Sequence, residues 1–216
     1  MKEINTYNVC FIGRTGNGKS SLINSLWNTG FATDSLVSCT KQLVSATIMS
    51  EEISGYEAIC VYDTPGIGEF SSDSVYERYY EHAVSIADCI VLVTTFDRTD
   101  APAQRLLMRL RRHINNKKNV RFVIALNHID SRVITDSESH YEPWNDEINM
   151  PSDKCLENVQ ERISLLNEKF KDKFLPFQVI PVCAVRDYGI EELKKTREYA
   201  KLEENIANVE SVTSML

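Results

Sequence analysis

The sequence predicts a three-layer α/β/α fold on a mostly parallel sheet of about six strands. Three observations carry this. Short apolar runs alternate along the chain with stretches of helical spacing. Several of those runs are continuously apolar, as strands covered on both faces are. The length, 216 residues, suits one domain with a sizeable core, and no internal repeat or low-complexity block divides it. A single domain is expected over residues 1–202, with a polar insert at 131–153 and a C-terminal tail at 203–216.

In order, "YNVCFI" (7–12) reads as a buried strand that stops at Gly13, and "KSSLINSLWN" as a helix with Leu22, Ile23 and Leu26 on one face. "LVSATIM" alternates and is β-branched, and "EAICVYD" is a strand ending at Asp63. "DTPGIGEFSSDS" has loop chemistry, and "VYERYYEHAVSIA" is helical. "DCIVLVTTF" (88–96) is a strand buried on both faces. Asp100 and Pro102 start a helix whose buried stripe is Leu106, Leu107, Leu110 and Ile114. "VRFVIALN" (120–127) is another buried strand. The polar stretch 131–153 is too long for an ordinary connection, so it is either functional or partly disordered. "CLENVQERISLLNEKF" is a helix with Leu156, Val159, Ile163 and Leu166 on one face. "FQVIPVCAV" is the last strand and "GIEELKKTREYAKL" the last helix. In the tail, Tyr199, Leu202, Ile206 and Val209 recur at helical spacing, which fits either a partner or dimer seam or an extension of the last helix with a fraying end.

Composition removes several function classes. The formal net charge is −7, which argues against broad nucleic-acid binding; the locally basic "RLLMRLRRHINNKK" reads as the solvated face of a helix. No apolar run is long enough to cross a bilayer and the first residues lack a signal peptide's apolar region, so a cytoplasmic protein is expected. The six cysteines include no C-x-x-C pair. Cys10, Cys60, Cys89 and Cys183 fall in buried strands, where a thiol is a small hydrophobe, and Cys39 falls in a polar loop.

Four short motifs carry chemistry. Gly13-Arg14-Thr15-Gly16-Asn17-Gly18-Lys19-Ser20, followed by Ser21, lies between a strand and a helix. Backbone N–H groups of such a loop converge on a polyphosphate at a helix N-terminus, with Lys19 reaching the outer phosphates and the Ser20 hydroxyl ligating Mg²⁺. Asp63-Thr64-Pro65-Gly66 places a carboxylate at a strand's C-terminal end, where it holds Mg²⁺ and where the Gly66 N–H reaches a γ-phosphate. Asn127-His128-Ile129-Asp130 also ends a buried strand. A carboxylate at Asp130 accepts from both the N1–H and the 2-amino group of guanine, and adenine has no amino group there. Cys183-Ala184-Val185 follows the final strand, so the Ala184 N–H is placed to donate to guanine O6.

With "GRTGNGKSSLINSL", "YDTPGIGE", "LNHID" and "IPVCAVRDYGIEEL" in this order, the chain resembles the Ras-like P-loop GTPases over about residues 7–202, and within them the bacterial Era/TrmE/septin-type branch. "EPWN…PSDKCLENVQERI" is similar to a subgroup of small bacterial GTPases with that insert. The resemblance implies a P-loop NTPase fold that binds GTP and GDP with Mg²⁺, hydrolyses GTP, and switches two loops. The first, 30–42, needs a Mg²⁺-ligating threonine that senses the γ-phosphate. Thr40 is the choice and Thr33 the weaker candidate. The second starts at Asp63 and runs into the early seventies. The implied metal ligands are Ser20, Thr40 and Asp63. Lys19, Thr40 and Gly66 act at the reacting phosphate.

The pattern also departs from the family. Ile67 stands where Ras-type members place a water-orienting glutamine, so slow intrinsic turnover is expected. Gly16 stands where some relatives carry the asparagine that helps hold potassium, and Asn17 is one place late, so potassium activation is not expected. His128 replaces a usual lysine and Cys183 a usual serine. The expected partners are a guanine nucleotide and a protein partner or second copy engaging the switch loops. Two rivals stand beside the switch: a nucleotide-binding interaction module with little hydrolysis, and a ribosome-associated assembly GTPase.

Overall fold

The computed structural model describes residues 4–33, 43–50, 53, 55–67, 74–96, 101–115, 120–131, 141–171, 173 and 176–196. Six strands form the main sheet: β1 (Thr6–Gly13), β2 (Val44–Met49), β3 (Ala58–Asp63), β4 (Cys89–Thr95), β5 (Arg121–Asn127) and, after a small hairpin of β6 (Trp144–Asn145) and β7 (Met150–Pro151), β8 (Phe177–Pro181). Their order is β2-β3-β1-β4-β5-β8. Only β2 runs antiparallel to its neighbour, and the remaining pairs are parallel. The helices are α1 (Lys19–Trp27), α2 (Ser74–Ile86), α3 (Ala101–Asn115) and α4 (Asp153–Phe170), with a further helical segment over 190–196.

The two faces of the sheet sort by side-chain parity, since successive residues of a strand point opposite ways. Val9 and Phe11 of β1, with Val91 and Val93 of β4, pack with Leu22, Ile23 and Leu26 of α1 and with Ile190 and Leu193. Cys10 and Ile12, with Ile90 and Leu92, pack on the other side with α2, α3 and α4. Both sides are full, which is why the central strands read as continuous apolar runs. The α3 stripe is buried as predicted. On α4 the inward face is Cys155, Val159, Leu166 and Phe170. Leu156, expected on that face, is 40% exposed, and Ile163 lies at the edge of the core. Ser152 caps α4, accepting from the Cys155 N–H at 3.3 Å. That fixes the helix's rotation so that Cys155, whose thiol donates to the Ile129 carbonyl at 3.1 Å, turns inward.

The last strand is shorter than predicted, ending at Pro181. Cys183 instead pairs with Tyr188 across a tight turn, and Ala184–Arg186 form a single 3₁₀ turn. The insert holds structure: over 144–151 it is the β6–β7 hairpin, and Trp144 is buried. The tail stripe from Tyr199 to Val209, Cys39 and Asp100 lie outside the described residues.

Candidate functional site

β1, β3, β4 and β5 are parallel, so their C-terminal ends share one edge of the sheet. Loops leaving that edge bring Gly13–Ser20, Asp63–Ile67, Asn127–Asp130 and Cys183–Arg186 together. Gly16 and Gly18 have φ of +78° and +83°, a left-handed backbone that other residues adopt at a cost. Gly18 is the N-cap of α1 and no described side chain caps that end, so the helix presents its first N–H groups to the space above the loop. Among the described residues a Cβ on Gly16 would meet nothing, whereas one on Gly18 would run into Asn127 Nδ2 and lie 3.1 Å from His128 Nε2. The loop is a cradle with an open side and a closed side, and the closed side is made by the Asn127 segment.

Lys19 is buried to 7% exposure, and its Nζ donates to the carbonyls of Gly13 (3.1 Å) and Arg14 (3.3 Å), curling the stem over the loop. Ser20 Oγ donates to Asp63 Oδ2 at 2.5 Å. A hydroxyl and a carboxylate so close at the end of the cradle are the donor set a Mg²⁺ ion takes, so the residues present fit the ion. Thr64 anchors the next loop, its hydroxyl and N–H both reaching the Phe11 carbonyl (2.8 and 3.3 Å). Gly66 lies so close to Thr15 that a Cβ there would overlap the Thr15 side chain. The Thr15 hydroxyl, at the loop's rim, is buried with no hydrogen-bond partner among the described residues. Ile67 donates its N–H to the Gly13 carbonyl (3.2 Å), and its side chain is buried in the core cluster that also holds Tyr80 and Phe96. Tyr80 from α2 donates its hydroxyl to the Pro65 carbonyl at 2.5 Å.

On the other flank Asn127 is fully buried and joins two loops. Its Nδ2 donates to the Asn17 carbonyl (3.0 Å) and its Oδ1 accepts from the Ala184 N–H (3.3 Å). The Ala184 amide, expected to face a guanine oxygen, is thus engaged by Asn127 here. Asn17 Nδ2 donates to the Val93 carbonyl at 2.8 Å, so this side chain is turned down into the sheet rather than out toward a cation. His128 has φ +58°, a left-handed turn that carries its ring back toward Gly18. Asp130 meets the Cys183 thiol and the Arg186 guanidinium. Burial and the Asp130 carboxylate push the Cys183 thiol up to about 12, and the same two causes push Cys155 up to about 11, so both stay protonated at neutral pH. Val185 is 81% exposed.

The predicted residues 14–20, Asp63, Gly66, Asn127, His128, Asp130 and 183–185 therefore stand along one edge of the sheet. Ser21 follows within α1. Thr33 is exposed. Thr40 and residues 68–73 of the expected second switch lie outside the described residues. Sequence reasoning missed Tyr80, Trp144 and Arg186. Tyr80 and Trp144 carry the ordinary signal of a core aromatic, and nothing local in "VRDYG" marks Arg186.

The comparisons with known proteins agree with this arrangement. The family model for 50S ribosome-binding GTPases matches residues 8–128, more than half the chain. No curated protein matches in sequence. Among solved structures, the FeoB G-domain from Methanococcus jannaschii is similar over 91% of this chain and 98% of its own, with a TM-score of 0.54 and 18% identity. Era in complex with MgGDPNP and nucleotides 1506-1542 of 16S ribosomal RNA is similar over 90% of this chain, with a TM-score of 0.60 and 20% identity. Aquifex aeolicus Era bound to GDP·AlF₄⁻ is similar over 89%, with a TM-score of 0.60 and 18% identity. The chain spans 56% of the length of each Era chain, and at these identities the likeness is one of fold. The chain belongs to the 50S ribosome-binding GTPase family and has an Era/FeoB-like P-loop GTPase fold. As a member of that family it is a GTP-binding protein with GTPase activity.

Proposed function

We propose that this member of the GTPase family is a slow, partner-assisted switch whose phosphate loop and base loop are fixed to each other by Asn127. That asparagine bonds the Asn17 carbonyl and the Ala184 amide at once, and this observation carries the reading. It makes one rigid floor from two loops, which suits a ligand with phosphates at one end and a base at the other. Residues 14–18 and Ser21 wrap the phosphates, Lys19 offsets their charge, and Ser20, Asp63 and Thr40 hold Mg²⁺. When bound, that ion neutralises charge on the outer phosphate oxygens. Gly66 presents its N–H to the γ-phosphate. Asp130 reads guanine, His128 covers the base, and Cys183, Ala184 and Val185 line its far side.

Ile67 supports the slow rate. Its side chain is committed to the core, and an alkyl group orients no water. The attack on the γ-phosphorus therefore draws its positioned water or added positive charge from elsewhere, and a partner or second copy on the switch loops is the source this reading names. Asn17 turned toward Val93 supports a rate independent of potassium. The chain acts in the cytoplasm and falls in the Era-like subgroup that carries the 131–153 insert. Single-turnover phosphate release from purified protein tests the whole reading. Wild type should turn over slowly, with the same rate in Na⁺ and K⁺, and Lys19→Ala should be at least ~100-fold slower, the usual cost of losing one transition-state charge contact. Equal rates for wild type and Lys19→Ala would instead favour the interaction-module reading, for which the buried Ile67 is the specific support.

The ribosome-associated reading draws on the family's description and on the Era structure with 16S ribosomal RNA. The net charge of −7 and the 56% coverage of that chain weigh against carrying the RNA contact over. Co-sedimentation with ribosomal subunits in GDP and in a GTP analogue decides it: no nucleotide-dependent shift removes this reading.

A further inference from the structure

The insert hairpin sits against the base loop through one arginine. Arg186 donates from Nε to Asp130 Oδ2 at 3.4 Å and from Nη1 to Asp146 Oδ1 at 2.6 Å, and its Cζ lies 4.8 Å from the centre of the Trp144 ring. Asn149 locks the arrangement, accepting from Trp144 Nε1 at 3.1 Å and donating to the Arg186 carbonyl at 3.2 Å. Trp144 is buried, edge-on to Tyr188 at 5.5 Å, and Ser152 N–H donates to the Pro143 carbonyl at 3.0 Å, closing the base of the hairpin onto α4. Trp144 and Asp146 thus hold the guanidinium, Asn149 holds the backbone carbonyl of the same residue, and the Nε–H is left for Asp130.

The carboxylate of Asp130 has about four acceptor positions. Guanine needs two, for N1–H and the 2-amino group. The Cys183 thiol, which feels this carboxylate, is a weak donor and takes at most one. Arg186 takes the last with a charge-assisted bond, which fixes the plane of the carboxylate while leaving two lone pairs toward the base.

We infer that Arg186, presented by the 144–151 hairpin, is a positioning residue for guanine recognition: it sets the orientation of the Asp130 carboxylate, and the insert exists at this place to hold it. This rests on the reading of Asp130 as the guanine contact. The proposal makes the insert part of the specificity apparatus, and it places the exposed Asp146 as the handle by which a partner touching the hairpin alters nucleotide affinity.

The test compares GDP with IDP, which lacks the 2-amino group, by calorimetry on full-length protein. Arg186→Ala should weaken GDP about tenfold and IDP less, so the GDP/IDP preference shrinks; that is the size expected for one charge-assisted contact. Arg186→Lys should recover part of the preference. Asp146→Ala should move it in the same direction by less. Arg186→Ala leaving the GDP/IDP ratio unchanged, or tightening GDP, overturns the inference, since a purely structural loss lowers both affinities together. Asp130→Asn separates the underlying reading. An amide both accepts from N1–H and donates to the 2-oxo group of xanthine, so this variant should move preference from GDP to XDP. If Asp130→Asn leaves the preference for GDP unaltered, the guanine reading falls and the role of Arg186 with it.

Discussion

The two ends of the site are built differently. The cradle at the phosphate end comes from one contiguous stretch, Gly13–Ser20, shaped by left-handed glycines and by backbone carbonyls that bind Lys19, with Asp63 and Gly66 brought against its rim. The base end comes from three distant segments: Asn127–Asp130, the hairpin at 144–151, and Cys183–Arg186. They meet only in the folded state. A contiguous cradle is set mostly by local geometry. A composite one inherits the stability of every element that feeds it, and so is open to influence from outside the pocket.

Three perturbations probe that contrast. The largest effect is expected at the seam. Gly18→Ala places a methyl against Asn127 Nδ2 and forces a left-handed alanine, which together cost about 1–3 kcal/mol of strain. GDP affinity should fall about 10- to 100-fold by titration of a fluorescent nucleotide. An effect under threefold would mean the two ends are not in register through this residue. Next, Asn127→Ala leaves the Asn17 carbonyl and the Ala184 amide without their buried partner. Denaturant unfolding of the nucleotide-free protein should show a loss of roughly 1–3 kcal/mol; an unchanged midpoint would mean the ends are held independently.

The smallest is a pH effect to which the two base-end thiols contribute, alongside Tyr62 of β3, which burial pushes up to about 12. Cys155 and Cys183 have folded pKa values raised to about 11 and about 12, from 9.0, by burial and by Asp130. Their contribution is fully present below pH 9.0. As pH rises past 9.0 the unfolded chain ionises first, so stability falls, and the loss is complete once pH passes the folded values. Stability measured between pH 8 and 11 should decline, and Cys155→Ala should flatten part of that slope.

The same contrast explains how much was legible beforehand. The cradle, Asp63, Asn127 and Asp130 were readable because each is marked by spacing at the end of an apolar run. The six-strand sheet was readable because burial on both faces leaves uninterrupted apolar segments. Arg186 was not, because its meaning depends on Trp144 and Asp146, some forty residues earlier in the chain. The rotation of α4 was misjudged by one residue, Leu156 for Cys155. A serine cap and a thiol bond to Ile129 outweighed the larger apolar side chain.

Ile67 has a consequence for the size of the signal this molecule sends. Burying an isoleucine is worth roughly 2–3 kcal/mol. Any rearrangement that lifts Ile67 out of its core cluster gives that up. A nucleotide must therefore favour the lifted arrangement by roughly 30- to 150-fold merely to populate the two equally. Apolar burial weakens on cooling, so the threshold drops with temperature. The ratio of the two populations should be a thermometer reading as well as a nucleotide reading.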